Sequence, residues 1–192
     1  MVLTKITVEI ENEARKELRA DIPHEIKMKR LYVMRHAKSS WDDASLADYD
    51  RPLNERGLET APMMGRLIRT GDYIPDVVFS SPAKRAKKTA KLATEAAKIT
   101  SSILFDEQIY EASPQTLVKV LSGIDGNARS AMVVGHNPGM EGLIRSLTGE
   151  VTTIPTAAFA VIDLDIERWR DIDYETGKLV EVLRPKEVAD LI

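Results

Sequence analysis

Two of the three histidines in this chain directly follow short apolar segments of the kind that form buried strands. Residues 31–34 precede Arg35 and His36, and residues 131–134 come just before His136. A neutral imidazole can attack phosphorus and carry the phosphoryl group, and a second imidazole, if protonated, would stabilise the charge on the phosphate oxygens. The guanidinium of arginine offers paired donors that match those oxygens. These residues therefore predict phosphoryl transfer through a phosphohistidine.

A second arginine, Arg85, belongs to the same set. It follows the strand-like residues 77–79 and lies near the predicted start of a helix, where backbone N–H groups and the helix dipole attract anions. Since side chains supply the positive charge, we expect neither a metal ion nor a cofactor. The chain has no cysteine, which excludes thiolate zinc sites, disulfides and mechanisms with a cysteine nucleophile.

Short apolar runs alternate with longer amphipathic stretches, a pattern typical of strands that alternate with helices. The predicted strands are residues 31–34, 77–79, 103–105, 131–134, 158–164 and 179–183. The predicted helices are residues 54–69, 82–98, 114–121 and 138–147. Asn54, Ser81 and Asn137 are the predicted N-caps, and Gly71 is the predicted stop of the first helix.

The alternation of strands and helices predicts an α/β fold, a three-layer α/β/α sandwich with a mostly parallel central sheet. In such sheets ligands bind beyond the carboxyl ends of the strands. Arg35, His36, Arg85 and His136 all follow predicted strands closely, so we expect them to meet at one edge of the sheet.

The composition is that of an ordinary globular protein, with 192 residues, 43% of them hydrophobic, and a net charge of −3. We divide the chain into an N-terminal appendage, residues 1–27, and one domain, residues 28–192. The appendage is interpreted as a surface helix or tail, or alternatively as an oligomerisation arm. The small negative charge argues against binding to nucleic acid.

No apolar run reaches the roughly 18 residues that span a membrane, and the first residues lack the apolar core of a signal peptide. The expected location is therefore the cytoplasm, and no membrane partner is expected. One predicted helix face is basic and carries Lys84, Lys87, Lys88 and Lys91. It is interpreted as a solvated surface, or alternatively as a docking site for an acidic protein.

Four motifs resemble those of the histidine phosphatase superfamily, and in particular its SixA-type phosphohistidine phosphatases. They are MRHAKSSW at 34–41, DRPLNERG at 50–57, SSPAKRA at 80–86 and VGHNP at 134–138. The motifs occur in the order found in that family, and the resemblance covers about residues 30–164. It implies a phosphoglycerate-mutase-like fold.

The resemblance also implies roles for individual residues. His36 is the expected nucleophile, and Ala37 beside it replaces the glycine of the superfamily motif. The other expected members of the site are Arg35, Arg85 and His136 in the phosphate pocket, Ser39 or Asp42 on its rim, and Glu111, with Glu107 as second candidate, as proton donor.

The resemblance implies a hydrolase, a metal-independent phosphatase with a covalent phosphohistidine intermediate. The expected substrate is phosphohistidine in proteins or another phosphoramidate. A small-molecule phosphomonoesterase or phosphomutase on the same fold is one alternative, and a non-catalytic phosphate-binding or protein-interaction module is another. The expected partner is accordingly a phosphorylated protein or a small phosphorylated substrate, and the sequence predicts no oligomeric state.

The length of the segments around the two histidines bears on the choice of substrate. His36 and His136 are 136 − 36 = 100 positions apart, which leaves little room for an inserted cap domain. The loop of residues 40–52 is short, polar and acidic. An uncapped pocket suits a phosphate displayed on a protein surface better than an enclosed small molecule.

Overall fold

Six strands and five α-helices form the part of the chain that the structure, a computed structural model, describes, residues 28–188. The strands are β1 (Lys29–Arg35), β2 (Val77–Ser80), β3 (Ile103–Phe105), β4 (Ser130–Gly135), β5 (Phe159–Leu164) and β6 (Gly177–Leu183). The helices are α1 (Glu55–Thr70), α2 (Lys84–Ala97), α3 (Pro114–Ser122), α4 (Gly139–Thr148) and α5 (Pro185–Val188). Short 3-10 turns lie at Asp48–Asp50, Glu107–Ile109 and Trp169–Asp171.

The strands form one sheet in the order β3-β2-β4-β1-β5-β6. The first four of these are mutually parallel, whereas β5 runs antiparallel to both β1 and β6. The register of β1 and β4 pairs Arg35 with Gly135. His36 and His136 directly follow these two residues, so they lie side by side at the carboxyl edge of the sheet.

Side chains of the central strands alternate between two apolar clusters, one on each face of the sheet. In β1, Leu31 and Val33 belong to the cluster that includes α3 and α4. Tyr32 and Met34 belong to the cluster that includes α1 and α2. The three-layer α/β/α architecture and the mostly parallel sheet that the sequence predicts are thus confirmed.

Helix α1 begins and ends where the sequence predicts. The side chain of Asn54 accepts the N–H of Gly57 at 2.9 Å, and Gly71 is the C-cap. The carbonyl of Lys38 accepts the N–H of Asn54 at 3.0 Å, and it lies so close to Gly57 that a Cβ there would collide with it. The first turn of α1 therefore holds the segment that follows His36.

The predicted N-cap of α2 is wrong. The helix begins at Lys84, with Ala83 at the N-cap and no side-chain capping bond. The hydroxyl of Ser81 accepts the N–H of Ala83 at 3.3 Å, ahead of the helix, and lies closer, at 2.9 Å, to Nε2 of His136. The Ser81 side chain, which the local sequence predicts as a helix cap, therefore contacts a distant segment of the chain.

The predicted N-cap of α4 is wrong for the same reason. The helix begins at Gly139, with Pro138 at the N-cap. The side chain of Asn137 instead donates to the carbonyl of Ile154 at 3.1 Å. This bond ties the segment after β4 to the segment before β5.

The described region starts after the predicted appendage. Residues 1–27, including His24, and residues 189–192 lie outside it, so the division at residue 28 remains a prediction. Among residues 28–188, no helix is both long enough and apolar enough to cross a membrane.

Candidate active site

His36 is fixed by the backbone of both neighbouring strand ends. Its N–H donates to the carbonyl of Gly135 at 3.0 Å, and its carbonyl accepts the N–H of Ala157 at 3.0 Å. The residue is only 8% exposed. The sheet itself therefore sets the position of this imidazole at the carboxyl edge.

The hydrogen bonds of His36 define its tautomer. Nδ1 lies 2.7 Å from the carbonyl of Ala37, and because a carbonyl only accepts, Nδ1 carries the proton. Nε2 consequently holds a lone pair, and it accepts the Nε–H of Arg85 at 3.3 Å. Burial, together with the charges of Arg85 and Arg35, lowers the pKa of His36 to about 4. The imidazole is therefore neutral at pH 7 and has its lone pair directed towards an arginine.

Arg85 lies near the start of α2, as the sequence predicts, although the helix begins at Lys84 and not at residue 82, so Arg85 is its second residue; it is 6% exposed. Nε faces His36, whereas Nη2 donates to Oδ2 of Asp48 at 2.7 Å and Nη1 donates to the Asp48 carbonyl oxygen. The guanidinium is thus held at its terminal end by Asp48 while its Nε side faces the imidazole.

Asp48 is the centre of a polar cluster beside the histidines. Its carboxylate also accepts from Nη1 of Arg51 at 3.0 Å and from the Tyr110 hydroxyl at 2.9 Å. Burial raises the pKa of Asp48, but hydrogen bonds from Arg85, Tyr110 and Arg51 outweigh that effect and bring the value to about 2. Arg51 in turn lies 3.2 Å from the centre of the Trp41 ring.

His136 follows β4 and lies beside His36, with the two ring centroids 4.9 Å apart. Its Nε2 pairs with the hydroxyl of Ser81 at 2.9 Å. Burial, followed by the proximity of His36 and Arg85, lowers the pKa of His136 to about 3. The second imidazole is therefore neutral at pH 7, so it offers a polar N–H rather than the full positive charge that a protonated ring would supply.

Arg35 is the last residue of β1, and its Nη1 donates to the carbonyl of Ile154 at 3.1 Å. Burial lowers the pKa of Arg35, against an opposing effect of Glu141. Among the described residues, the buried side-chain atoms without a hydrogen-bond partner are Arg35 Nε, His136 Nδ1 and Asn137 Oδ1. Each such atom costs free energy, and all three belong to the two strand ends that carry the histidines.

A cavity of about 490 Å³ opens beside His136 and is also lined by Glu111. Glu111 is exposed and has a left-handed backbone, with φ of 49°. The structure thus brings the first candidate proton donor to the same cavity as one histidine. The second candidate, Glu107, instead accepts the hydroxyl of Tyr49 at 3.0 Å.

The two predicted rim residues lie farther from this set. The hydroxyl of Ser39 accepts Nη2 of Arg51 at 2.8 Å. Asp42 accepts the hydroxyl of Ser40 at 2.7 Å and lines a different cavity. In the described chain neither side chain is hydrogen-bonded to His36 or to the other three residues of the phosphate set, and their rim role remains a prediction.

The arrangement places a neutral nucleophile beside fixed positive charge. The lone pair on Nε2 of His36 can attack phosphorus, and Arg85 and Arg35 can bind the oxygens of the phosphoryl group. No group of three or more His, Asp or Glu side chains within residues 28–188 is arranged to hold a metal ion. Positive charge at this edge of the sheet comes from guanidinium groups and from the N-terminus of α2.

Four residues of the cluster have no site role in the sequence prediction: Asp48, Arg51, Tyr110 and Ser81. One local signal was available, because Asp48 and Arg51 have opposite charges at a spacing of three residues. The contacts of Tyr110 with Asp48 and of Ser81 with His136 join segments more than 50 positions apart. Spacing along the chain could not have found them.

Comparisons with known proteins give the family of this chain. The sequence profile of the histidine phosphatase superfamily (branch 1) matches residues 31–117. An uncharacterized protein of Mycobacterium leprae is 30% identical over 166 residues, which are 80% of this chain and 100% of that protein. A structure from Agrobacterium tumefaciens described as a phosphohistidine phosphatase, SixA, is 29% identical, has a TM-score of 0.71 and covers 82% of this chain and 98% of its own.

A structure of the protein histidine phosphatase SixA complexed with tungstate has a TM-score of 0.73 at 21% identity, and the match covers 83% of this chain and 99% of that one. The fold of this chain is therefore phosphoglycerate-mutase-like. The chain belongs to the histidine phosphatase superfamily. Within that superfamily it is of the SixA type, and it is a hydrolase that acts as a phosphatase.

Proposed function

We propose that the chain hydrolyses phosphohistidine in proteins, or other phosphoramidates, through a covalent intermediate on His36. The observation that carries the proposal is the state of Nε2: it holds the lone pair of a neutral imidazole and lies 3.3 Å from Nε of Arg85. A dianionic phosphoryl group that approaches this nitrogen therefore meets a nucleophile and a guanidinium together.

The proposed reaction has two displacements. The lone pair on Nε2 of His36 attacks phosphorus, the P–N bond to the leaving imidazole breaks, and that imidazole nitrogen takes a proton from solvent. Water then attacks phosphorus, the bond to Nε2 breaks, and inorganic phosphate leaves with the oxygen of the water. Nε2 regains its lone pair, and the bond from Nδ1 to the Ala37 carbonyl keeps the ring in the reactive tautomer.

Arg35, Arg85 and His136 are the proposed binding groups for the phosphate oxygens. Arginine and histidine N–H groups are the donors that suit these oxygens. The lack of partners for Nε of Arg35 and Nδ1 of His136 supports this role, because buried polar nitrogens without a partner are costly unless a ligand or water pairs with them during function.

Access to the site supports a protein-borne substrate. Residues 36–54 connect β1 to α1 with only the short turn Asp48–Asp50 between them. Residues 106–113 connect β3 to α3 with only the turn Glu107–Ile109. No inserted domain lies between His36 and His136 to enclose a small molecule, so a phosphate on the surface of another protein has an open approach.

A small-molecule phosphomonoesterase is the second candidate, and the position of Glu111 favours it. An ester leaves as an alkoxide and needs a proton donor, whereas an imidazole leaves more easily. Glu111 lines the cavity beside His136 and is the proposed donor. The relative rates on the two substrate classes therefore decide between the candidates.

The test is a side-by-side assay in EDTA of a phosphohistidine protein, phosphoramidate, p-nitrophenyl phosphate and a panel of sugar phosphates. We expect the highest kcat/KM for the phosphohistidine protein or phosphoramidate. Labelled substrate should leave acid-labile, alkali-stable phosphate on the wild type and none on His36→Ala, whose rate should fall at least about 10³-fold. A better rate on sugar phosphates would replace the first candidate with the second.

A further inference from the structure

The Arg51-Asp48-Arg85 cluster raises the question of why an acidic side chain lies within a site for an anion. We propose that Asp48 is a positioning residue that holds the terminal end of the Arg85 guanidinium so that its Nε side faces His36. This inference rests on the proposed function, since it assigns Asp48 to the same reaction.

The Arg85 guanidinium contacts Asp48 through its two terminal nitrogens and His36 through Nε. Arginine has five N–H groups in one plane, and Asp48 accepts one from each terminal nitrogen, through its backbone carbonyl and its carboxylate. Nε points instead to Nε2 of His36, at 3.3 Å. Asp48 therefore leaves three N–H groups, that of Nε and one on each terminal nitrogen, and the Nε–H is the one that faces a phosphoryl group on His36.

Asp48 is itself held from two other directions. Arg51 donates to Oδ1 at 3.0 Å, and the Tyr110 hydroxyl donates to Oδ2 at 2.9 Å. Arg51 is further fixed by the carbonyl of Ser40 at 3.0 Å and the hydroxyl of Ser39 at 2.8 Å. These partners fix the orientation of the Asp48 carboxylate, and the fixed carboxylate in turn fixes the orientation of the Arg85 guanidinium.

Stability alone does not explain the arrangement. The side chains of Arg85 and Arg51 are only 7% and 8% exposed, so Asp48 neutralises largely buried charge, but its own side chain is 42% exposed and solvent screens these ion pairs. A negative charge near the phosphate also weakens binding of the anion. A fixed orientation of the Arg85 guanidinium explains why Asp48 is present despite its charge. A misplaced guanidinium raises the free energy of the transition state more than that of the ground state.

This account predicts a specific split of kinetic constants for Asp48→Asn. The variant keeps the size of the side chain but loses its charge, and its NH₂ group can face the donors of Arg85. We expect kcat to fall by about 10-fold to 100-fold, whereas the inhibition constant for vanadate stays the same or decreases. The matched control is Asp50→Asn, an exposed carboxylate in the same turn, which should keep wild-type constants.

A double-mutant cycle tests whether Asp48 acts through Arg85. In an Arg85→Lys background, Asp48→Asn should change kcat by less than about twofold, because the fork that Asp48 orients is already absent. Tyr110→Phe removes one bond to Asp48 and keeps its charge, so it should give a smaller loss of kcat with no change in vanadate inhibition. Circular dichroism and thermal melts of each variant report folding separately.

Two outcomes would overturn the inference. One is a kcat for Asp48→Asn within twofold of the wild type, or above it, with tighter vanadate binding, which would make Asp48 a competitor of the phosphate. The other is an equal loss of kcat in the wild-type and Arg85→Lys backgrounds, which would mean that Asp48 acts independently. Failure of the proposed function is distinguishable in the wild type itself, which would then either form no phosphoenzyme or turn over sugar phosphates faster than phosphoramidate.

Discussion

His36 and His136 extend from adjacent parallel strands and lie with their ring centroids 4.9 Å apart, both buried and both neutral at pH 7. The register that pairs Arg35 with Gly135 produces this relationship. Two imidazoles this close beside Arg85 cannot both be charged at moderate cost, so the folded protein binds fewer protons than the unfolded chain as the pH falls.

This difference predicts an acid-sensitive stability. The pKa values of His36 and His136 are about 4 and about 3 in the folded protein, against the ordinary value of 6.5. The unfolded chain therefore takes up protons first, and the contribution of the pair is complete above about pH 6.5 and declines towards pH 4. Each histidine contributes a slope of about 1.4 kcal/mol per pH unit within that range.

Urea unfolding at pH 7, 6, 5 and 4.5 measures this effect. His136→Gln should lose stability less steeply between pH 6.5 and 4.5 than the wild type, and His36→Gln should behave likewise. Glutamine keeps a polar group but does not titrate, so each variant serves as the control for the other. Parallel slopes in all three proteins would show that the imidazoles take up protons in the folded state as readily as in the unfolded chain.

Much of this site was predictable because its main residues lie at strand ends. The apolar runs before His36 and His136 place both residues at the carboxyl edge of a parallel sheet, and the structure has them there. Arg85 was predictable in the same way, since it follows a strand and begins a helix. Local sequence order is sufficient wherever the sheet topology alone determines proximity.

The predictions were wrong where a side chain had a choice between a local and a distant partner. Ser81 and Asn137 have the right type and spacing for N-caps, yet neither caps a helix and each bonds across the site. Asp48 was absent from the predicted site because its partner Arg85 is 37 positions away. The sequence shows which side chains can cap a helix, but it does not show which distant residues compete for the same hydrogen bonds.

Arg85→Lys should weaken the binding of phosphate-like anions. Lysine keeps the positive charge but loses the planar fork that faces His36 and Asp48. The loss of a charge-assisted hydrogen bond corresponds to a rise of about 10-fold to 100-fold in the inhibition constant for vanadate. Arg69→Lys, an exposed residue at the end of α1, makes the same chemical change away from the site and should have no effect.

An inhibition constant for Arg85→Lys equal to that of the wild type would remove Arg85 from the phosphate pocket. The measurement should use vanadate and inorganic phosphate in parallel. Both anions should show the same rank order of variants, because both present tetrahedral or trigonal-bipyramidal oxygens to the same donors.

Gly57→Ala should destabilise the protein although alanine normally favours helices. A Cβ at Gly57 would collide with the carbonyl of Lys38, and this backbone contact anchors the segment after His36. We expect a loss of about 1–3 kcal/mol in the free energy of unfolding. Gly126→Ala is the matched control, because no atom lies within 4 Å of a Cβ there.

Denaturant unfolding of the two glycine variants distinguishes crowding from a general effect of the substitution. Gly126→Ala should stay within about 0.5 kcal/mol of the wild type. A stability of Gly57→Ala equal to or above the wild type would mean that α1 and the segment after His36 move apart easily. Specific activity of the folded Gly57→Ala protein should also fall, since displacement of Lys38 moves the chain next to the nucleophile.

Glu111→Gln separates the two substrate classes. Glu111 lines the cavity beside His136, and its carboxyl group can protonate a leaving oxygen, whereas glutamine cannot. A general acid contributes about 10²-fold to 10⁴-fold when the leaving group needs a proton, so kcat on phosphate esters should fall by about 10²-fold. A leaving imidazole needs less assistance, so the rate on phosphoramidate should fall by less than about tenfold.

Glu107→Gln is the matched control, since that carboxylate accepts the Tyr49 hydroxyl instead, and both rates should stay near those of the wild type. Two results together would contradict the phosphohistidine assignment: Glu111→Gln loses rate equally on both substrate classes, and the wild type turns over sugar phosphates faster than phosphoramidate. The protein would then be a phosphomonoesterase.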